Sequence, residues 1–246
     1  KNIDRQILKD QLKDSEKALI LSRIVPFNNL KDGVASSDLV IEAATENYEV
    51  KKNIFQEIDN YAPKDAILAT NTSSISITKI AAVTQRPAQV IGMHFMNPVP
   101  IMKLVEVIKG YATSQATVST IKKTVIDLEK IAVEVKDYPG FTANRILLPM
   151  INEAIFTLFE GVAGVSEIDA VMKLGMAHPM GPLQLADFIG LDVCLSVIRV
   201  LQEGIGDDKY RPCPLLVNMV AAGNLGKKTG EGFYKYEHHS KDFTVS

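Results

Sequence analysis

Apolar positions along the first half of the chain switch repeatedly between two periods. Ile3, Ile7, Leu8, Leu12 and Leu19 share one helical face, with Asp4, Lys9, Lys13 and Glu16 elsewhere, which predicts an amphipathic helix over residues 3–21. Residues 38–44 form a compact apolar run of the buried-strand type. Val50, Ile54, Phe55 and Ile58 then return to helical spacing. Short strands are predicted over 66–70, 89–95, 103–109 and 132–135, with helical stretches over 75–83 and 113–130. This alternation argues for an α/β layer with a largely parallel sheet. The link over 97–102 is too short for a parallel crossover, so its two strands should run antiparallel or lie at the sheet's end.

The pattern changes at Asp137-Tyr138-Pro139-Gly140, a turn signal. Beyond it the 3.6 period holds over 144–159, 165–174, 183–201 and 214–222, with no further strand alternation. An all-helical part therefore follows the sheet, and the polar residues 237–246 should be loose.

Composition narrows the possible functions. The 246 residues carry 27 basic and 29 acidic side chains, a formal charge of -2 that disfavours a dedicated nucleic-acid binder. No apolar run approaches the ~18 residues needed to cross a bilayer. The two cysteines, Cys194 and Cys213, are too few for a disulfide scaffold or a cysteine zinc site. A reducing compartment is expected: the cytoplasm, or the mitochondrial matrix of a eukaryote. His-Glu-x-x-His, Asp-x-Asp-x-Asp, Gly-x-x-x-x-Gly-Lys-Ser/Thr and Gly-x-Gly-x-x-Gly are all missing, so neither a metal nor a phosphate loop is predicted.

Of the four histidines, His238 and His239 lie in the polar tail, and His178 sits in a turn between helical segments, suited to capping a helix end. His94 ends an apolar strand, where open α/β sheets display working groups. A satisfied core histidine is the plainer reading. Glu106 interrupts the apolar strand Leu104-Val105-Glu106-Val107-Ile108, and a buried carboxylate there needs a partner. The His94 ring is the nearest donor by topology, giving a His–acid dyad; a Glu facing water on an edge strand is the alternative. Asn71-Thr72-Ser73-Ser74 marks a strand-to-helix junction, where hydroxyls normally cap. No Gly-x-Ser-x-Gly elbow surrounds Ser73, which excludes a serine hydrolase of that type. Glu46 and Lys51 straddle a helix start, and Asn144 opens the helical part.

Taken together, several segments resemble the L-3-hydroxyacyl-CoA dehydrogenases. They are Asn71-Thr72-Ser73-Ser74, Gly92-Met93-His94-Phe95-Met96-Asn97-Pro98-Val99-Pro100, and Met102-Lys103-Leu104-Val105-Glu106-Val107. Pro139-Gly140-Phe141-Thr142-Ala143-Asn144-Arg145, His178-Pro179-Met180-Gly181-Pro182 and the run from Gly226 to Tyr234 are similar too. The likeness spans about Ser36 to Tyr236 in order and spacing, and the length is similar to the short bacterial 3-hydroxybutyryl-CoA type.

That resemblance implies a Rossmann-like NAD-binding domain over 1–138 and a helical substrate and dimerisation domain over 139–246. It implies His94 as general base, oriented by Glu106, with Ser73 and Asn144 on the reacting oxygen. Glu46, Lys51, Ser73, Asn97 and Lys228 would contact NAD, with NADP left open. Lys9 or Lys13 would face the CoA. An acyl-CoA substrate and a homodimer are implied, with no nucleic-acid or membrane partner. The family's opening βαβ unit with Gly-x-Gly-x-x-Gly has no counterpart here, since the sequence starts at Lys1 within a helical pattern. Two expectations stay open: a longer enzyme seen in part, or a shortened chain that holds CoA esters without turnover and binds NAD weakly.

Overall fold

The computed structural model describes residues 2–8, 10, 12–236 and 243–245, so Lys9, His238 and His239 lie outside it. The first apolar stripe forms two helices, α1 (Asn2–Ile7) and α2 (Asp14–Ser22), instead of the one predicted over 3–21. Between them Asp10 takes a left-handed backbone, φ 53°, which no continuous right-handed helix accommodates. Lys17 reaches back to Asp4 at 2.6 Å and ties the two helices together.

After α3 (Leu30–Val34) come β1 (Leu39–Glu42), α4 (Tyr48–Tyr61), β2 (Ile67–Thr70), α5 (Ile77–Ala81), β3 (Val90–Phe95), β4 (Leu104–Lys109), α6 (Gln115–Asp127) and β5 (Ile131–Lys136). The strands lie in the order β1-β2-β3-β4-β5. All neighbours are parallel except β3 and β4, which the short 97–102 link forces to run antiparallel. Asn47, Ser76 and Ser114 each accept the amide three residues on, which sets the starts of α4, α5 and α6, the last two a little later than their predicted ranges.

Strand alternation divides the core into two layers. Leu68, Val90 and Ile108 pack with Phe55, Ile58, Ile77 and Ile80 of α4 and α5. Ala69, Ile91, Met93, Val105 and Val107 face Val118, Ile121 and Val125 of α6. Gly92 permits the first layer its close approach: a Cβ there would lie 2.9 Å from Ile77 Cδ1 and 2.8 Å from Ile108 Cβ.

A linker with Gly140 and Phe141 at positive φ leads into α7 (Ala143–Phe159), α8 (Val165–Ala170), α9 (Pro182–Ile189), α10 (Leu191–Ile205) and α11 (Pro214–Ala221). These helices share one apolar cluster. The single helix predicted over 183–201 is broken at Gly190, whose φ of 101° turns the chain between α9 and α10. The end of the chain carries an antiparallel pair the pattern did not predict, β6 (Tyr234–Tyr236) and β7 (Phe243–Val245). No helix among the described residues is long and apolar enough to cross a membrane.

Candidate active site

His94 and Glu106 are direct cross-strand partners in the β3–β4 ladder, so both side chains leave the sheet on one face. His94 Nδ1 lies 2.8 Å from Glu106 Oε2, and the residues are only 7% and 2% exposed. The other oxygen, Oε1, accepts the amides of Thr142 at 3.1 Å and Ala143 at 2.9 Å, where α7 begins. Three donors thus meet a carboxylate that would otherwise be costly to bury. Burial pushes its pKa up, but the His94 ring and the two amides outweigh that and hold it below the ordinary 4.5. An ionised carboxylate only accepts, so Nδ1 carries the proton and the Nε2 lone pair is left to act as a base. The Phe141 ring packs beside the imidazole, centroids 6.0 Å apart.

Ser73 and Asn144 come together across the boundary between sheet and helices. Asn144, on the first turn of α7, donates Nδ2 to the Ser73 carbonyl at 2.9 Å. The Ser73 amide donates to Glu46 at 2.9 Å, while its hydroxyl has no partner among the described residues. Asn71, at the strand-to-helix junction and given no role of its own by the sequence, accepts the Phe95 amide at 2.9 Å. It thereby pins the His94 strand end to the Ser73 loop. Asp137 fixes the far side of that loop by accepting the Ser76 hydroxyl and the Ile77 and Thr78 amides.

A family model for the 3-hydroxyacyl-CoA dehydrogenase NAD-binding domain matches residues 1–138, and one for the C-terminal domain matches 140–236. The chain belongs to the 3-hydroxyacyl-CoA dehydrogenase family. A probable 3-hydroxybutyryl-CoA dehydrogenase of Bacillus subtilis is 55% identical over 96% of this chain and 84% of its own length. The 3-hydroxybutyryl-CoA dehydrogenase of Bradyrhizobium diazoefficiens is 57% identical over 96% and 80%. Among solved structures, (S)-3-hydroxybutyryl-CoA dehydrogenase PaaH1 from Ralstonia eutropha superposes with a TM-score of 0.93 at 52% identity, covering 96% of this chain and 83% of that one.

Within this dehydrogenase scaffold the other positions implied by resemblance differ in what they offer. β1, β2 and β3 run parallel, and in open sheets of this kind ligands lie outside the carboxyl ends of such strands. The Ser73 hydroxyl, unpartnered among the described residues, and the exposed Asn97 have polar atoms to offer a ligand. Lys51 does not: it is fully buried, with its ammonium bound to both oxygens of Glu42 at 2.8 and 2.9 Å. Glu46 holds the Ser73 loop, but its side chain is 37% exposed and stays open to a ligand. Lys228 forms its ion pair inside the helical part, with Asp192. Lys13 is exposed at the start of α2. The His178 amide donates to the Met172 carbonyl, the helix-end role its turn suggests.

Proposed function

We propose that the chain interconverts a short L-3-hydroxyacyl-CoA, 3-hydroxybutyryl-CoA foremost, with its 3-ketoacyl-CoA, using His94 as general base. The observation that carries this reading is the Glu106–His94 contact, which leaves Nε2 of an oriented imidazole to take the C3 hydroxyl proton. Glu106 stays ionised and balances the cation formed on the ring. Asn144 uses one amide proton on the Ser73 carbonyl and keeps a second, which with the Ser73 hydroxyl gives two donors for the reacting oxygen. Bound NAD supplies the hydride acceptor. In the reverse direction the protonated ring returns its proton to the oxygen.

We assign residues 1–138 to the coenzyme and 139–246 to substrate and dimerisation. Relatives at 55–57% identity that are named dehydrogenases favour turnover over mere CoA-ester binding. With NAD, the chain should reduce coenzyme in the presence of 3-hydroxybutyryl-CoA but not of free 3-hydroxybutyrate, followed at the absorbance of the reduced nicotinamide. Equal rates with the free acid, or none with the thioester, would overturn the assignment. The two cysteines are buried free thiols, which supports a cytoplasmic location.

Homodimerisation through the helical domain is supported by its outer surface. A cavity of about 460 Å³ is lined by Met150, Ala154, Val162, Ile168, Val171 and Met172. Val162 and Val171 are 72% and 60% exposed there, an apolar patch that suits a second copy. Val171→Glu should convert a dimer to a monomer in sedimentation velocity; a wild-type chain that sediments as a monomer would refute the interface.

A further inference from the structure

We infer that Lys130 is a positioning residue that holds the loop joining the two strands of the His94–Glu106 dyad; the inference rests on the reaction proposed above. Residues 97–103 of that loop are all exposed, Ile101 by 71%, so burial does not fix their path. Their internal bonds do not tie them to the rest of the protein: the Ile101 and Met102 amides both return to the Pro98 carbonyl at 3.0 Å. Among the described residues the ties come from one place, the junction between α6 and β5. Lys130 Nζ donates to the Val99 carbonyl at 2.6 Å and to the Met102 carbonyl at 2.7 Å. Next to it the Ile131 amide donates to the Lys103 carbonyl at 2.8 Å. Bonds from a charged donor are about twice as strong as neutral ones, so the ammonium is the main restraint on the loop.

The local structure places Lys130 for this task. Glu129 takes a left-handed backbone, φ 58°, and closes α6: its amide returns to the Ile126 carbonyl at 2.8 Å and the Lys130 amide to the Val125 carbonyl at 3.1 Å. β5 then pairs with β4 from Ile131 opposite Leu104, so Lys130 stands beside the foot of the loop. Its ammonium pairs with no carboxylate among the described residues, and the two carbonyls are its acceptors. The loop begins at Asn97, three residues after His94, and ends at Lys103, three residues before Glu106. Its side chains therefore stand beside the dyad on a backbone set before a ligand arrives, and Asn97 is the position through which the restraint reaches the coenzyme. A loop that held its shape only one tenth of the time would weaken the apparent affinity of a ligand bound on it about tenfold.

Lys130→Met keeps the methylene stem and removes the donors. It should raise the KM for NAD about tenfold and leave kcat within about twofold of wild type, because the β3–β4 ladder still holds His94 against Glu106. Lys130→Arg keeps a charged donor and should recover most of the loss, with Lys130→Gln, a neutral donor, between the two. Asn97→Ala should raise the same KM, and the double variant should add little to either single change, whereas independent roles would multiply. Hydrogen exchange of the Ile101 and Met102 amides, measured with no ligand, should quicken in Lys130→Met and stay slow in Lys130→Arg. An unchanged KM for NAD in Lys130→Met, a loss confined to the melting temperature, effects that multiply with Asn97→Ala, or amide exchange equal to wild type would each overturn the inference. A wild-type chain inactive on 3-hydroxyacyl-CoA would count against the reaction instead, and the exchange measurement would still decide whether Lys130 holds the loop. That measurement and the Gln variant also keep the question decidable if Lys130→Met fails to fold.

Discussion

His94→Gln is expected to lower kcat by about 10²–10⁴ while the melting temperature stays close to that of the wild type. A glutamine amide keeps a donor for Glu106 but has no basic nitrogen, so the proton acceptor is lost and little else. Glu106→Gln should also impair turnover, and for two reasons. It removes the charge that balances a protonated ring, and it weakens the acceptor that receives the Thr142 and Ala143 amides of α7. The second loss should cost about 1–3 kcal/mol of stability that His94→Gln does not. Acid should expose the same difference. Burial works against the ionised carboxylate, but the ring and amide bonds prevail and its folded pKa lies below the ordinary value of 4.5. Glu106 therefore contributes stability that is full above the ordinary carboxylate range and is lost as the pH falls through the folded value. Urea unfolding of wild type and Glu106→Gln from pH 7 down to pH 3 should show a steeper acid decline in the wild type. A His94→Gln enzyme within fivefold of wild-type turnover, or matching acid slopes, would remove the dyad.

That dyad was legible in the sequence because its two residues answer to local rules. A carboxylate inside an apolar strand demands a donor, and a short connection between strands forces them antiparallel. Together those rules bring His94 and Glu106 face to face. Asn144 and Ser73 obey no such rule: their contact runs from a side chain to a backbone carbonyl 71 residues away, and only the family likeness pointed to it. Glu46 is similar. In sequence it is a first-turn glutamate of ordinary kind, whereas its partners lie 26 to 28 residues further on. The break at Gly190 went unseen because Leu183, Ala186, Leu191, Cys194 and Leu195 keep a helical apolar pattern across it. β6 has three residues, too few for alternation to register.

Gly232→Ala should be among the most damaging single-methyl additions in the helical domain, and the cause is a buried carboxylate nearby. Asp187, 1% exposed at the end of α9, accepts the Phe233 amide at 3.0 Å, the Tyr234 amide at 2.9 Å and the Tyr236 hydroxyl at 3.0 Å. The closing strand is thus held by this side chain, with Asp169 adding a bond from the Tyr234 hydroxyl at 2.8 Å. A Cβ on Gly232 would stand 2.0 Å from Asp187 Oδ1, and one on Gly226, already at φ 90°, would stand 2.4 Å from the Asp187 carbonyl. Both obstacles are fixed groups, so the strand must move and stretch bonds to three donors. Asp187→Ala removes the shared acceptor outright and should cost about 3–5 kcal/mol. Against a total stability of about 5–15 kcal/mol that is enough to loosen the whole domain. Burial pushes the pKa of Asp187 above its ordinary 3.8, against the pull of the amides, with neighbouring Asp169 adding to the rise. Its contribution is therefore full below the ordinary value and falls as the pH rises through the folded one, opposite in sign to that of Glu106. Urea titrations at pH 4 and pH 7 test both statements. Gly232→Ala within about 0.5 kcal/mol of wild type, the range of a neutral surface change, would show that the hairpin does not depend on this clearance.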